Sequence, residues 1–157
     1  MNPVKLLFAL FLSYFPGIVG FFWLPTGGID PWYSALIKSP FTPSLNMVFL
    51  ICFPIIYFLL GFAFYMIIKP KYTKRSIDTA VALFGINMFL QSVWNFVFFK
   101  LHMVIISELI ILGSITIAFL MQRKFSLENK KAGYLIFPYI FWLMFSFYLV
   151  GSVIFLN

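Results

Sequence analysis

Asn87 and Gln91 lie four residues apart in an apolar stretch, so a helix would place both amide side chains on one face. Trp94 and Asn95 continue near that face. An amide in apolar surroundings needs a hydrogen-bond partner, which can be a neighbouring helix or a bound molecule. The pattern is therefore compatible with bonds between helices and with the wall of a binding pocket.

Glu108 and His102 are the side chains best suited to proton chemistry. Glu108 lies within an apolar stretch, where it could relay protons or hydrogen-bond a neighbouring helix. Because no second titratable residue accompanies it, we favour the structural role. His102 is the single histidine, which excludes a haem held by two histidines. The sequence also lacks Cys–His, Ser–His–Asp, metal-binding and phosphate-binding motifs, which argues against an enzyme.

An aromatic helix face is predicted near the C-terminus of the sequence. Tyr139, Trp142 and Ser146 recur at helical spacing after Pro138, which predicts a kink. This face could serve ordinary helix packing or form the wall of a ligand site. Aromatic residues make up 22% of the chain, enough to cover a lipid-facing surface and also to line a pocket for a flat ligand.

The composition excludes an ordinary soluble domain. Hydrophobic residues make up 63% of the chain and charged residues only 10%, whereas soluble domains are about half apolar and a quarter charged. The net charge of +7 does not indicate nucleic-acid binding, because the cations lie in short segments between apolar runs. Cys52 is the single cysteine, so an intrachain disulfide is impossible.

Five stretches are apolar and long enough to cross a bilayer, whose hydrocarbon core takes about 20 helical residues. The predicted spans cover about 4–23, 46–68, 77–99, 103–121 and 133–155. The first is long for a signal peptide and lacks a small-residue cleavage site, so we interpret it as a retained span. The sequence thus predicts an all-α integral membrane protein with a single domain over residues 1–157. It shows no repeat at fixed spacing that would indicate an inverted-repeat transporter.

The cations predict the orientation of the spans. Lys5 and the Lys and Arg residues of 69–75 and 123–131 fall on one side, and only Lys38 and Lys100 fall on the other. Because cytoplasmic loops carry the excess of Lys and Arg, we expect a cytoplasmic N-terminus. Five spans then place the C-terminus and the aromatic first loop, residues 24–43, outside.

Taken in order, these motifs resemble the TspO/MBR family, also known as tryptophan-rich sensory proteins, translocator proteins or peripheral benzodiazepine receptors. The first loop is similar to the family's Trp-x-x-Leu-x-Lys-Pro-x-Trp-x-Pro-Pro, with one residue more after the Trp. The matching residues are Trp32, Leu36, Lys38, Thr42 and Pro43 in the loop; Phe49, Tyr57, Gly61, Ala63 and Tyr65 in span two; Asn87, Gln91, Trp94, Phe98 and Phe99 in span three; Glu108 in span four; and Pro138, Tyr139, Trp142, Phe145 and Leu149 in span five.

The sequence departs from the family pattern at several of its aromatic positions. Phe53 replaces the Trp of span two, although an alternative alignment places Cys52 there. Gln91 stands where Asn is usual, and the loop and span five depart at Ser39, Phe41, Ser44 and Val150. The cholesterol-recognition motif that follows span five in animal members is missing.

The resemblance implies a five-helix bundle with a ligand cavity capped by the first loop. It implies a membrane receptor or sensor for porphyrins, such as protoporphyrin IX or haem, and for related flat hydrophobic ligands, with no cofactor required. Alternatives are light- and oxygen-dependent degradation of porphyrins, which the missing Trp residues weaken, and transport of tetrapyrroles or other small molecules. The pocket residues expected on this basis are Trp32, Lys38, Phe41, Phe53, Tyr57, Asn87, Gln91, Trp142, Phe145 and Ser146, with Lys38 available to porphyrin propionates.

Further expectations concern partners and location. Ser13 with Gly17, and Ser114 with Ala118, form small-residue pairs that could pack helices within a chain or in a homodimer. The expected partners are the lipid bilayer and a hydrophobic small molecule, and nucleic acid is not expected. The expected location is a bacterial cell membrane.

Overall fold

The computed structural model of the chain describes residues 2–23, 31–44, 47–68 and 74–157, and within these ranges its regular elements are helices. This agrees with the predicted all-α class. In chain order the elements are α1 (Pro3–Trp23), α2 (Pro31–Ala35), a first π-helical segment (Val48–Cys52), α3 (Phe53–Ile67), α4 (Lys74–Asn95), a second π-helical segment (Phe96–Lys100), α5 (Val104–Glu128), α6 (Lys130–Tyr134) and α7 (Phe137–Leu156).

Four helical stretches are long and apolar enough to cross a membrane, and a fifth is shorter. The four are Pro3–Trp23, Ile77–Lys100, Val104–Glu128 and Lys130–Leu156. Helix α3 has 15 residues, and the first π segment adds five before it. Together they reach about 30 Å at about 1.5 Å per residue, the thickness of the hydrocarbon core. Large apolar side chains such as Leu7, Phe11 and Phe15 are exposed on the outside of the bundle, as lipid contact requires.

Helices occupy the described parts of all five predicted spans, and the fourth of these helices is longer than the span predicted for it. Helix α5 continues past residue 121 to Glu128, because Phe125 is still buried and Lys124 pairs with Glu128 one turn later at 3.1 Å. Asn129 then caps α6 by accepting hydrogen bonds from the next backbone amides. The segment predicted as a loop after span four is therefore mostly helical.

Two prolines lie where one helical segment changes to the next, and one of them is Pro138, where the sequence predicts a kink. Pro54 lies in the first turn of α3, directly after the first π segment. Pro138 lies in the first turn of α7, after a short turn that separates α7 from α6. The first turn of α7 tolerates Pro138 because its N–H groups have no partner within the helix. At Pro54 the helix continues from the π segment, since the Phe53 N–H donates to the Val48 carbonyl.

The five long helices form a ring in which α1 packs between α3 and α4, and α5 packs between α4 and α7. The ring closes through a less extensive contact between α7 and α3. Small residues allow the close approaches, since a side chain at Gly20 would stand 2.8 Å from Asn95 Cγ. Ser13, Ser114 and Ala118 are fully buried, so these members of the small-residue pairs pack within the chain. The homodimer stays a prediction.

The two ends of the ring differ in chemistry. We call the end with residues 31–43 of the first loop, the two π segments and the C-terminus of α7 the loop end. We call the other the basic end, which carries the exposed cations Lys5, Arg75, Arg123, Lys130 and Lys131. Lys69 and Lys71, which also entered the orientation prediction, lie outside the described residues. The main hydrophobic core lies toward the basic end, and a smaller cluster of Phe98, Phe99, Ile111 and Val150 lies at the loop end.

Candidate ligand-binding cavity

A cavity opens at the loop end, between α3, α4, α5, α7 and the first loop. It contains about 810 Å³ of empty space, a figure that includes the solvent in its open mouth. Its lining residues are Tyr33, Lys38, Thr42, Pro43, Val48, Phe53, Gln91, Trp94, Phe98, Phe99, Ile111, Trp142, Leu143, Ser146, Leu149, Val150 and Val153.

Both π-helical segments contribute to this cavity. Val48 belongs to the first, Phe98 and Phe99 belong to the second, and all three line the wall. A π turn takes an extra residue, which changes the direction of the side chains that follow it, and such turns occur often at functional sites. The second π segment allows the consecutive Phe98 and Phe99 both to be buried at the cavity.

The amide side chains of α4 meet three different environments along one helix face. Asn87 is buried in the main core, where its Oδ1 accepts a hydrogen bond of 2.9 Å from the Tyr139 hydroxyl. Asn95 donates through Nδ2 to the carbonyls of Pro16 and Gln91, at 3.1 and 3.0 Å, which joins α4 to α1. Gln91, between them, lines the cavity. Only this middle amide is positioned to meet a ligand.

Two buried N–H groups in the cavity wall lack a hydrogen-bond partner among the described residues. They are Gln91 Nε2 and Trp94 Nε1, and we call them the donor pair. Gln91 is only 8% exposed. Because the two residues are three apart on α4, their side chains share one face of the helix. Leaving a buried donor unbonded costs about 1–3 kcal/mol, so a ligand with hydrogen-bond acceptors would recover this free energy.

Aromatic rings form much of the remaining wall. Trp142 of α7 meets Phe53 of α3 edge-on, with ring centroids 5.6 Å apart, where the helix ring closes. Trp94 stacks on Phe98 at 5.3 Å with an interplanar angle of 11°. Such faces favour a flat, polarisable ligand, because stacked and edge-to-face rings attract one another beyond simple burial.

Lys38 brings a cation from the first loop to the cavity. Its ammonium group donates hydrogen bonds to the backbone carbonyls of Tyr33 and Leu36 and lies 4.6 Å from the centre of the Tyr33 ring. Burial lowers the pKa of Lys38, because desolvation disfavours the charged form. With two of its three N–H groups on loop carbonyls, Lys38 both stabilises the loop and keeps one donor for an acceptor in the cavity.

Five of the ten residues expected from the sequence come together in the lining: Lys38, Phe53, Gln91, Trp142 and Ser146. Both Phe53 and Cys52, the residue of the alternative alignment, pack against the main core, but only Phe53 also lines the cavity wall. Their roles in binding stay predictions.

The other five lie outside the lining. Trp32 stacks on His102, with centroids 4.2 Å apart, and meets Phe98 edge-on. Phe41 is 72% exposed. Tyr57 and Asn87 are buried deeper, toward the main core. The Phe145 ring lies 6.0 Å from the ring of Trp142, which lines the cavity, and 6.3 Å from the ring of Tyr148.

Several lining residues were absent from the sequence-based set. The helix face through Asn87 and Gln91 continues to Trp94 and Phe98, so its periodicity could have identified both. Phe99 could not be found in this way, because only the π segment brings it to the wall. Within the described ranges, His, Cys, Asp and Glu do not form a group of three that could hold a metal ion.

The fold and the cavity can be compared with known proteins. The sequence model of the TspO/MBR family matches residues 7–156, nearly the whole chain. The chain belongs to the TspO/MBR family. Family membership and the apolar helices together make it an integral membrane protein.

Two members of the TspO/MBR family are similar along most of their length. The tryptophan-rich protein TspO of Archaeoglobus fulgidus is 26% identical over 157 residues, which cover 100% of this chain and 99% of that protein. The tryptophan-rich protein TspO of Chlorobaculum tepidum is 25% identical over 126 residues, which cover 80% of this chain and 79% of that protein. Membership therefore concerns the whole bundle and not a single motif.

Proposed function

We propose that this protein is a membrane receptor or sensor that binds a porphyrin, such as protoporphyrin IX or haem, or a related flat hydrophobic ligand in the loop-end cavity. The observation that supports this most strongly is the donor pair within an aromatic wall. A porphyrin offers a planar face to the rings and carboxylate oxygens to N–H donors. A hydrogen bond to a charged acceptor is stronger than one between neutral groups.

The chemistry of the wall supports an acceptor-bearing ligand in particular. Gln91 Nε2 and Trp94 Nε1 can each donate to a ligand oxygen, and Lys38 has one further N–H. The rings of Phe53 and Trp142 can pack on the ligand plane. A flat hydrocarbon without acceptors would gain the ring contacts but leave the donors unbonded.

A binding titration tests this proposal. Purified protein in lipid nanodiscs is titrated with protoporphyrin IX and, separately, with perylene, a flat hydrocarbon that lacks acceptors, while tryptophan fluorescence is recorded. We expect saturable binding of protoporphyrin IX and much weaker binding of perylene. Equal affinity for the two probes, or no saturation with protoporphyrin IX, would contradict the proposal.

A matched pair of glutamine variants locates the binding. Gln91→Leu should raise the Kd for protoporphyrin IX about tenfold, because it removes one donor to a charged acceptor. Gln122→Leu is the control, since Gln122 bonds Ser126 near the basic end, and its Kd should match the wild type. Equal effects of the two changes would place the ligand elsewhere.

We further propose that the loop end faces outward from a bacterial cell membrane. The exposed cations at the basic end support a cytoplasmic position for that end. Reporter fusions after residue 127 should be active in the cytoplasm, and fusions after residue 157 should be active outside. The opposite pattern would invert the proposed orientation.

Porphyrin degradation under light is the second candidate function. Trp94 and Trp142 both line the cavity, so two oxidisable indoles would touch a bound porphyrin. Residue 53 faces Trp142 and is Phe, where the family pattern has a further Trp, and a Phe ring cannot be oxidised in this way. We therefore expect degradation to be slow in the native chain.

A further inference from the structure

The first loop is tied to the far end of α7 by a pair of hydrogen bonds. The backbone N–H of Ile37 donates to Asn157 Oδ1 at 3.0 Å, and Asn157 Nδ2 donates back to the Ile37 carbonyl at 3.0 Å. The same Nδ2 donates to the Val153 carbonyl at 2.9 Å. One amide side chain therefore holds both backbone groups of a loop residue and orients itself on its own helix.

A second tie joins the same two segments two turns earlier on α7. The hydroxyls of Ser39 and Tyr148 share a hydrogen bond of 2.8 Å, and the Ser39 hydroxyl also accepts from the Phe41 backbone N–H. Ser39 is 5% exposed, whereas Tyr148 is 47% exposed. Neither Asn157 nor Tyr148 lines the cavity, so neither would be expected to touch a ligand there.

The two ties bracket Lys38, one of the loop residues that line the cavity. Lys38 lies between Ile37 and Ser39, and Thr42 and Pro43 follow shortly after. On the other side of this segment, Trp32 stacks on His102, whose left-handed backbone (φ 57°) forms the turn between the second π segment and α5. The loop is thus held at α7 on one side and at this turn on the other.

We propose that Asn157 and Tyr148 are positioning residues that hold residues 31–43 of the first loop as a lid over the cavity and thereby set the rates at which a ligand enters and leaves. This proposal rests on the proposed ligand-binding function. Hydrogen bonds at an exposed surface add little net free energy each, so the ties restrain the lid without locking it. Opening would release the segment that carries Lys38 without disturbing the packed core.

Hydrogen–deuterium exchange of the ligand-free protein tests the ties themselves. The Ile37 amide donates to Asn157, so Asn157→Ala should speed its exchange about fivefold, the factor for losing about 1 kcal/mol of protection. Ser152→Ala is the control, because the Ser152 hydroxyl bonds only Leu149 of its own helix. Unchanged Ile37 exchange in Asn157→Ala would overturn the proposal.

Stopped-flow binding of protoporphyrin IX tests the consequence. Tyr148→Phe removes only the hydroxyl and keeps the ring, and Tyr134→Phe at the basic end is its control. In Tyr148→Phe and Asn157→Ala, entry and exit rates should both rise about threefold or more, while Kd changes less than either rate. A faster exit rate with an unchanged entry rate would show that these residues only stabilise the bound state, and it would refute the lid.

The two experiments test the lid and the proposed ligand-binding function independently. If wild-type protein binds no protoporphyrin IX, the proposed function fails, and the exchange rates of Ile37 still decide whether Asn157 holds the loop. If binding is normal but the Ile37 amide exchanges equally fast in wild type and Asn157→Ala, the function stands and the lid is refuted.

Discussion

The basic half and the loop half of this bundle contain similar residues, but these residues serve different purposes in the two halves. Toward the basic end, Phe64 and Phe84 stack at 4.0 Å, and Asn87 accepts a bond from Tyr139. Toward the loop end, Trp94 stacks on Phe98. The Asn87 Nδ2 of the basic half also lacks a partner in the described structure, but the unpartnered donors of Gln91 and Trp94 belong to residues that line the cavity. Aromatic rings and amides thus make a closed core in one half and an open cavity in the other.

The difference arises from helix geometry more than from residue type. In the closed half, α3 and α4 are regular, and small residues such as Ala63 and Ala80 are fully buried in the core. In the open half, α3 is preceded and α4 is followed by a π segment, and a loop rather than a helix completes the wall. Stability should therefore reside mainly in the closed half and ligand affinity in the open half.

The largest expected effect is on stability in the closed half. Phe64→Ala should lower the free energy of unfolding by about 3 kcal/mol, because it leaves a cavity beside Phe84 in a fully packed core. Phe98→Ala, its counterpart beside the open cavity, should cost clearly less. The measurement is denaturant unfolding in detergent micelles, and equal losses for the two variants would show that the halves are packed alike.

The next largest effect is a difference in stability between variants of two amide residues on one helix face. Asn87→Leu should destabilise the protein by about 1–3 kcal/mol, because it leaves the buried Tyr139 hydroxyl without its acceptor. Gln91→Leu should leave stability unchanged or slightly raised, because it removes an unbonded buried donor. Unfolding curves of the two variants decide this, and a larger loss in Gln91→Leu would reverse the assignment of the two halves.

Two tryptophans of the open half should contribute unequally to the affinity for protoporphyrin IX. Trp142→Ala should weaken protoporphyrin IX binding by about 1–3 kcal/mol, the range for one aromatic contact in a buried site. Trp32→Ala should weaken it less, because its ring stacks on His102 outside the lining. Titration of both variants measures the difference, and a larger loss for Trp32→Ala would place the ligand nearer the loop than the lining indicates.

The smallest effect concerns the chemistry of the wall. Phe53→Trp should raise the rate at which protoporphyrin IX loses its absorption band under light, without a comparable gain in affinity. Phe58→Trp on the same helix is the control, since Phe58 is 48% exposed on the outside of the bundle. Dark and protein-free samples exclude other losses. Brisk degradation by the wild type would show that no indole is needed at residue 53.

Much of the fold could be predicted from the sequence because lipid imposes a simple rule. Each span needs about 20 apolar residues, so hydropathy identified five stretches that the structure shows to be helical where it describes them. The end of span four was missed because residues 122–128 are polar on one side while Phe125 stays buried, a pattern that also suits a loop. Hydropathy does not distinguish a helix that leaves the membrane from a loop.

The cavity could be predicted only in part. Helical spacing identified Gln91, Trp142 and Ser146, which lie on regular helices. It could not place Phe41, since a loop has no periodicity and its side chain is exposed. It could not separate Asn87 from Gln91 either, because their difference depends on Tyr139 of another helix.

Ligand protection of a cavity thiol tests the location of the site most directly. In a Cys52→Ser background, Ser146→Cys places a thiol in the cavity wall, and Ser44→Cys places one at an exposed residue directly after the first loop and outside the lining. Both variants are labelled with a small maleimide with and without saturating protoporphyrin IX. We expect the ligand to slow labelling of the Ser146→Cys thiol about tenfold or more and to leave the Ser44→Cys thiol unaffected. Equal labelling of the Ser146→Cys thiol with and without bound porphyrin would contradict a binding site in the loop-end cavity.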